Sequence, residues 1–110
     1  MKLPNCEAAI LDIEKLRDYC LSLEHPRGRH KARVFLSRLD LAAAQAEEFR
    51  AALLDAARNE NAALGASDRF GTRYIIGFEL GRGPKAAVIQ SCWIVRDSET
   101  APRFVTCFVL

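Results

Sequence analysis

Arg73-Tyr74-Ile75-Ile76-Gly77-Phe78-Glu79-Leu80 is the stretch that decides the fold. Tyr74, Ile76, Phe78 and Leu80 alternate with Arg73, Ile75, Gly77 and Glu79, the two-residue period of a half-buried strand. Everything before it repeats at three and four residues, and everything after it continues in strand-like runs. Gly81-Arg82-Gly83-Pro84 reads as a turn. Ala86 to Val95 is almost continuously apolar and predicts a central strand covered on both faces. Asp97 to Pro102 is a second turn, and Arg103 to Val109 a third strand.

Upstream, Asp12 is a good N-cap residue, followed at helical spacing by Ile13, Leu16, Tyr19, Cys20 and Leu23. Pro26 and Gly28 break this helix. A second short helix opens around His30 or Lys31, with Ala32, Phe35, Leu36 and Leu39 on its inward face. A third runs from about Ala42 to Asn59, rich in good helix formers, with Phe49, Leu53, Ala56 and Ala57 as its apolar stripe. Gly65 to Asp68 reads as a loop. The order predicts an α+β domain spanning 1–110, three N-terminal helices followed by an antiparallel β-meander of three to four strands.

Half of the 110 residues are apolar and 27% are charged, a balance that excludes a disordered chain. The formal net charge of +2 is too small to imply nucleic acid by itself. Its distribution is uneven. Residues 1–39 carry eight basic and five acidic side chains, 40–63 carry two and five, and 64–110 carry six and four. The N-terminus meets Pro4 and Asn5 at once and lacks the apolar core of a signal peptide, so a free-standing cytoplasmic protein is expected. No apolar run approaches the roughly 20 residues of a membrane span. Cys6, Cys20, Cys92 and Cys107 form no C-x-x-C pair, which predicts reduced, mostly buried thiols and no metal or other cofactor.

The densest chemistry lies in His25-Pro26-Arg27-Gly28-Arg29-His30-Lys31-Ala32-Arg33, which holds both histidines of the chain. From Arg27 to Arg38 there are five Lys/Arg and no Asp or Glu. The segment turns a helix–loop–helix corner, where loop amides and a helix N-terminus would face one space, an arrangement suited to anions. Arg forks and a Lys point charge suit phosphate. Arg27, Arg29 and Arg33 are therefore candidate phosphate ligands. His25 and His30 are candidate proton carriers, because imidazole titrates near neutrality. The helix end and the surrounding cations favour a neutral imidazole at His30. The plainer reading of the cluster is a solvated basic face. Arg73, Arg103 and Thr106, on or beside strands, could hold or orient a phosphate. Arg103 and Thr106 are three apart, so a regular strand would point them to opposite faces. Trp93 is expected in the core. The glycine spacings of a P-loop or dinucleotide fingerprint are absent.

Leu3-Pro4-Asn5, Lys15-Leu16-Arg17-Asp18-Tyr19, His25-Pro26-x-Gly28-Arg29-x-Lys31-Ala32-Arg33-x-Phe35, Phe70-Gly71-x-Arg73-Tyr74, Trp93-Ile94-Val95 and Pro102-Arg103-Phe104-Val105-Thr106 resemble, in that order, a small bacterial domain family of unknown function. A broader similarity is to compact RNase toxins of the barnase, EndoU, colicin and RelE type, which place helices before an antiparallel sheet. Their last strand carries a Thr-Ala-Tyr-Pro-like ending, here Thr106-Cys107-Phe108-Val109 without the Tyr-Pro. That resemblance implies a metal-independent ribonuclease site of His25 and Lys31 facing Thr106, with His30 as the second candidate base and Arg29 and Arg103 as phosphate ligands. The expected partner is then RNA or another phosphate-bearing ligand. The alternative is a non-catalytic protein-binding module, an accessory, antitoxin or immunity component of a bacterial conflict system, whose partner is a protein. No membrane partner is expected.

Overall fold

A computed structural model describes residues 1–110. Its centre is a four-stranded antiparallel sheet in the order β1 (Ala63–Asp68), β2 (Gly71–Arg82), β3 (Lys85–Arg96), β4 (Arg103–Val109). Mixed helix and sheet with antiparallel pairing agree with the sequence reading. Two details differ. Ala63–Asp68, read in part as a loop, is an edge strand, with Leu64 paired to Tyr74 and Ser67 to Thr72. β3 is covered on one face only. Ala87, Ile89, Ser91 and Trp93 are buried, while Val88, between them, is 43% exposed.

The helical half is less regular than its periodicity suggests. The first helix is one α-helical turn, α1 (Ile13–Lys15), continuing as a wider π turn over Leu16–Cys20. The Leu21 amide accordingly donates to the Leu16 carbonyl, five residues back, at 2.8 Å. Leu23, expected on the inward face, is 47% exposed. α2 spans Arg29–Leu39 and buries Ala32, Phe35 and Leu39, while Leu36 turns outward at 39% exposure. A 3₁₀ turn (Ala43–Gln45) leads into α3 (Ala46–Asn59), which buries Phe49, Leu53, Ala56 and Ala57. Nor is this half wholly helical. Ile10 bridges Arg103 in parallel, its amide reaching the Pro102 carbonyl and its carbonyl the Phe104 amide, both at 2.9 Å. The outer edge of β4 is thereby partly covered.

The core lies between the helices and one sheet face. Phe35 and Phe49 meet at 5.1 Å between ring centres, and Trp93 packs edge-on against Phe104 at 5.4 Å. The one buried polar residue, Ser91, is satisfied, since it donates to the Ile76 carbonyl and accepts from the Trp93 indole N–H. α2 is pinned at both ends. At its C-terminus Asp40 adopts the left-handed conformation that closes a helix (φ 53°), and Arg82 from the β2–β3 hairpin donates to the Leu39 and Asp40 carbonyls. Its N-terminal turn is held by Lys31, described next.

β4 carries the irregularity that matters most for function. Thr106 pairs with Cys92 and Phe104 with Trp93, leaving Val105 as an unpaired bulge. Arg103 pairs with Ile94. Ile94 and Cys92 are two apart on β3 and share a face, so their partners Arg103 and Thr106 share it too. The expectation that these residues diverge is corrected by one extra residue.

Candidate functional site

The basic corner folds around His25, and the folding explains its conformation. The His25 Nδ1 accepts from the Arg27 and Gly28 amides, both at 3.0 Å, and its carbonyl accepts from the Arg29 amide at 2.9 Å. A nitrogen that accepts two N–H bonds carries no proton, so the neutral ring is protonated on Nε2. The ring stands edge-on to Tyr19 at 4.7 Å. Gly28 is required here because its Cα presses on Tyr19, and an added Cβ would overlap the Tyr19 carbonyl oxygen. The loop amides expected to face an anion are thus already taken by the imidazole and carbonyl of His25.

From this corner Lys31 turns inward. Its ammonium donates to the Thr106 hydroxyl at 3.0 Å, and it lies 5.6 Å from the Tyr19 ring centre and 5.8 Å from that of Phe108. The Lys31–Thr106 pair anticipated from the resemblance is therefore in direct contact. His30, Arg27, Arg29 and Arg33 are exposed, and His25 is half-buried.

Below the pair sit two thiols. Cys20 and Cys107 are fully buried, and all four cysteines are free. The Cys20 thiol lies 3.9 Å from the Thr106 hydroxyl. Its pKa is pulled down to about 7, chiefly by a hydrogen bond from the Cys107 side chain, with smaller contributions from the Cys107 amide, Thr106 and the Lys31 charge. Burial and the facing Cys20 push the Cys107 thiol well up. Burial likewise raises Cys92. Sequence reading took Tyr19 and Cys20 only as helix-spaced residues and Phe108 only as part of a strand, because the π turn and the bulge that bring them to this place have no signature in the spacing.

Arg73 and Arg103, the other candidate phosphate ligands, lie in a separate cleft of about 400 Å³ that also presents Lys15, Phe70, Ile94 and Arg96. Arg73 pairs with Asp68 at 2.9 Å. Arg103 binds Glu99 through two nitrogens at 2.9 Å, with Arg96 3.8 Å from the same carboxylate. These contacts hold the Asp68 and Glu99 carboxyls below the usual carboxylate range. For Asp68 the Phe70 amide contributes most, and for Glu99 the Arg103 hydrogen bond does. No group of three or more His, Cys, Asp or Glu side chains is placed to hold a metal ion. No helix is long and apolar enough to cross a membrane.

Residues 2–110 match a family model described as a domain of unknown function, DUF6883. No curated protein matches the chain. Among solved structures, a chain of a contact-dependent growth inhibition toxin–immunity protein complex from Klebsiella pneumoniae 342 is similar with a TM-score of 0.59 and 21% identity, over 94% of this chain and 95% of that one. At that identity the likeness is one of fold.

Proposed function

The chain belongs to the DUF6883 family, and from that premise we propose that it is a metal-independent ribonuclease-like domain of a bacterial conflict system, with its site at the Lys31–Thr106 contact. The observation that carries the reading is the 3.0 Å hydrogen bond joining a lysine at the start of α2 to a threonine on β4. Lys31 and Thr106 are both only half-buried, so the pair that holds α2 against β4 stays open to a ligand. The same pair is well suited to a phosphodiester. The ammonium stabilises charge as it develops on the non-bridging oxygens, and the hydroxyl orients them.

In this mechanism the RNA 2′-OH attacks the adjacent phosphorus. Its proton passes to the exposed imidazole of His30, the P–O5′ bond breaks as the 2′-oxygen bonds to phosphorus, and a water molecule protonates the leaving 5′-oxygen, giving a 2′,3′-cyclic phosphate and a 5′-hydroxyl. Arg29 and Arg33, two positions to either side of Lys31, lie on the opposite side of α2 and add only positive potential to the approach. His25, its Nδ1 engaged with two amides, is a positioning residue that sets the turn and Tyr19. The structural neighbour belongs to a complex of a toxin with its immunity protein, which supports the conflict-system context. That complex equally supports the alternative, a chain whose task is to bind a protein partner.

Incubation with total RNA and a tRNA panel in EDTA tests the reading. We expect cleavage by the parent chain, its loss in Lys31→Ala, and a reduction of about 10- to 100-fold in Thr106→Val, since a hydrogen bond to a charged group contributes about 1.5–3 kcal/mol. Intact RNA with a folded parent chain overturns the nuclease and leaves the protein-binding alternative.

A further inference from the structure

The cleft on the open sheet face stands apart from Lys31 and is not explained by folding. Arg73, Ile94 and Arg103 form one rung across β2, β3 and β4. The two arginines therefore flank Ile94, with backbones roughly 10 Å apart at two strand spacings. Arg96 is two residues along β3 on the same face, and Lys15 reaches in from α1, its ammonium on the Phe104 carbonyl at 2.8 Å. Four cations share one concavity with an aromatic ring, Phe70, which is 56% exposed on the β1–β2 turn. The Arg69 guanidinium lies 4.9 Å from that ring's centre. An exposed phenylalanine bracketed by cations has little to contribute to the core.

The Val105 bulge joins this cleft to the Lys31–Thr106 pair. Arg103 and Thr106 face the same way, about 7 Å apart at two residues' rise along β3. A strand of phosphates leaving Thr106 meets Arg103 next. Asp68 and Glu99 do not close the cleft, because Arg73 spends only Nη1 on Asp68, Arg96 stands 3.8 Å from Glu99, and Arg103, held by Glu99 through Nε and Nη2, keeps Nη1 for a ligand. Cationic side chains that track a backbone, with an aromatic platform at the end, are the means by which proteins hold single-stranded nucleic acid without reading its sequence.

We propose that this cleft is a single-stranded RNA subsite, in which Arg73, Arg96 and Arg103 hold a phosphate flanking the scissile one and Phe70 stacks the adjoining base. Its position next to the scissile phosphate rests on the nuclease reading, whereas its affinity for RNA does not. RNA is favoured over an acidic protein surface because the cations lie in line with Thr106 on one face, as a continuous phosphate backbone requires.

The test is fluorescence anisotropy of the full chain with a short, labelled, fully 2′-O-methylated single-stranded RNA, which lacks the attacking hydroxyl and cannot be cut. Phe70→Ala weakens binding about tenfold, while Phe70→Trp retains it. Arg96→Ala weakens binding and lowers the slope of log affinity against log salt by about 0.7, the value for one lost phosphate contact on a single strand. Both side chains are exposed, so circular dichroism should show both variants folded. Unchanged affinity and salt slope in Phe70→Ala and Arg96→Ala overturn the subsite and leave the cleft to an acidic protein partner. The two proposals fail separately. Phe70-dependent binding by a chain that cuts no RNA keeps the subsite and removes the nuclease, and cleavage indifferent to Phe70 and Arg96 does the reverse.

Discussion

Replacing Gly28 with alanine should unfold the corner that presents Lys31, although the position has an ordinary helical backbone (φ −76°, ψ −24°). Backbone freedom is therefore not the reason for glycine. The reason is space. A Cβ at Gly28 would overlap the Tyr19 oxygen and come within 2.8 Å of the Tyr19 carbonyl carbon. That wall cannot swing aside, because Tyr19 lies in the π turn closed by the Leu21–Leu16 hydrogen bond, and its own carbonyl accepts from the Ser22 amide. Overpacking costs about 1–3 kcal/mol, and a backbone obstacle places this case near the top of that range. Helix propensity offers no offset, since alanine is inferior to glycine at an N-cap. We expect a loss of about 3 kcal/mol and a fall in Tm of roughly 10 °C for a chain of this size. Urea denaturation followed by the fluorescence of Trp93, the one tryptophan, reads this as a lower midpoint with an unchanged slope. Gly83→Ala is the control. Gly83 has φ +56° and nothing within 4 Å, so only left-handed strain applies, about 1 kcal/mol. A Gly28→Ala chain within about 0.5 kcal/mol of the parent refutes the steric argument.

Ser91→Ala leaves the buried Trp93 indole N–H and a bond to the Ile76 carbonyl unmade. It should cost about 2–3 kcal/mol by calorimetry, and a loss under 1 kcal/mol would mean that water satisfies the indole. Cys20, at about 7 in the folded chain against an ordinary 9.0, ties stability to pH. Between those values the unfolded chain binds the extra proton, so stability rises with pH across the window and falls away as pH drops through 7. Cys107, pushed well up, acts in the opposite sense above about 9. Urea midpoints from pH about 6.5 to 8.5 should rise by the equivalent of up to about 2 kcal/mol in the parent and stay flat in Cys20→Ala. A parent profile as flat as the variant's would show that Cys20 stays a thiol. Lys31→Met should raise the Cys20 pKa, read by thiolate absorbance, because it removes the nearby ammonium. The same titration curve in both chains would exclude that coupling.

Periodicity revealed most of the architecture. The alternation of Tyr74, Ile76, Phe78 and Leu80 is the inward face of β2, with Ile76 and Phe78 buried and Tyr74 and Leu80 half-buried against the core, and Trp93 is where an apolar run said it would be. Periodicity misled at Ala86–Val95, because an apolar residue on a strand's open face reads the same as one in the core. It missed β1, whose Gly65, Ser67 and Asp68 carry turn chemistry and whose pairing with β2 is interrupted between Leu64 and Ser67. The basic corner was legible as a concentration of charge. Which of its residues would turn inward was not. Alternate positions such as Arg29, Lys31 and Arg33 differ in exposure only because α2 lies against β4.

The site shows why composition and spacing stop short of chemistry. A nine-residue run with two histidines and four cations suggests that the histidines do the work and the cations assist. The geometry inverts that order for His25. Its Nδ1 replaces the anion that the Arg27 and Gly28 amides would otherwise attract, and a protonated ring would forfeit both bonds. Meanwhile Lys31, one cation among several in the sequence, reaches the hydroxyl of Thr106 seventy-five positions away. The residue that decides whether Thr106 joins Arg103 on one face is Val105, which carries no chemistry at all. Deleting Val105 should remove the bulge yet leave Arg103 and Thr106 two apart and on one face, whereas a β4 that kept Val105 in regular pairing would turn Thr106 away from Arg103 and separate the Lys31 pair from the cleft. A function distributed over two such places depends on a backbone irregularity as much as on any side chain that touches the substrate.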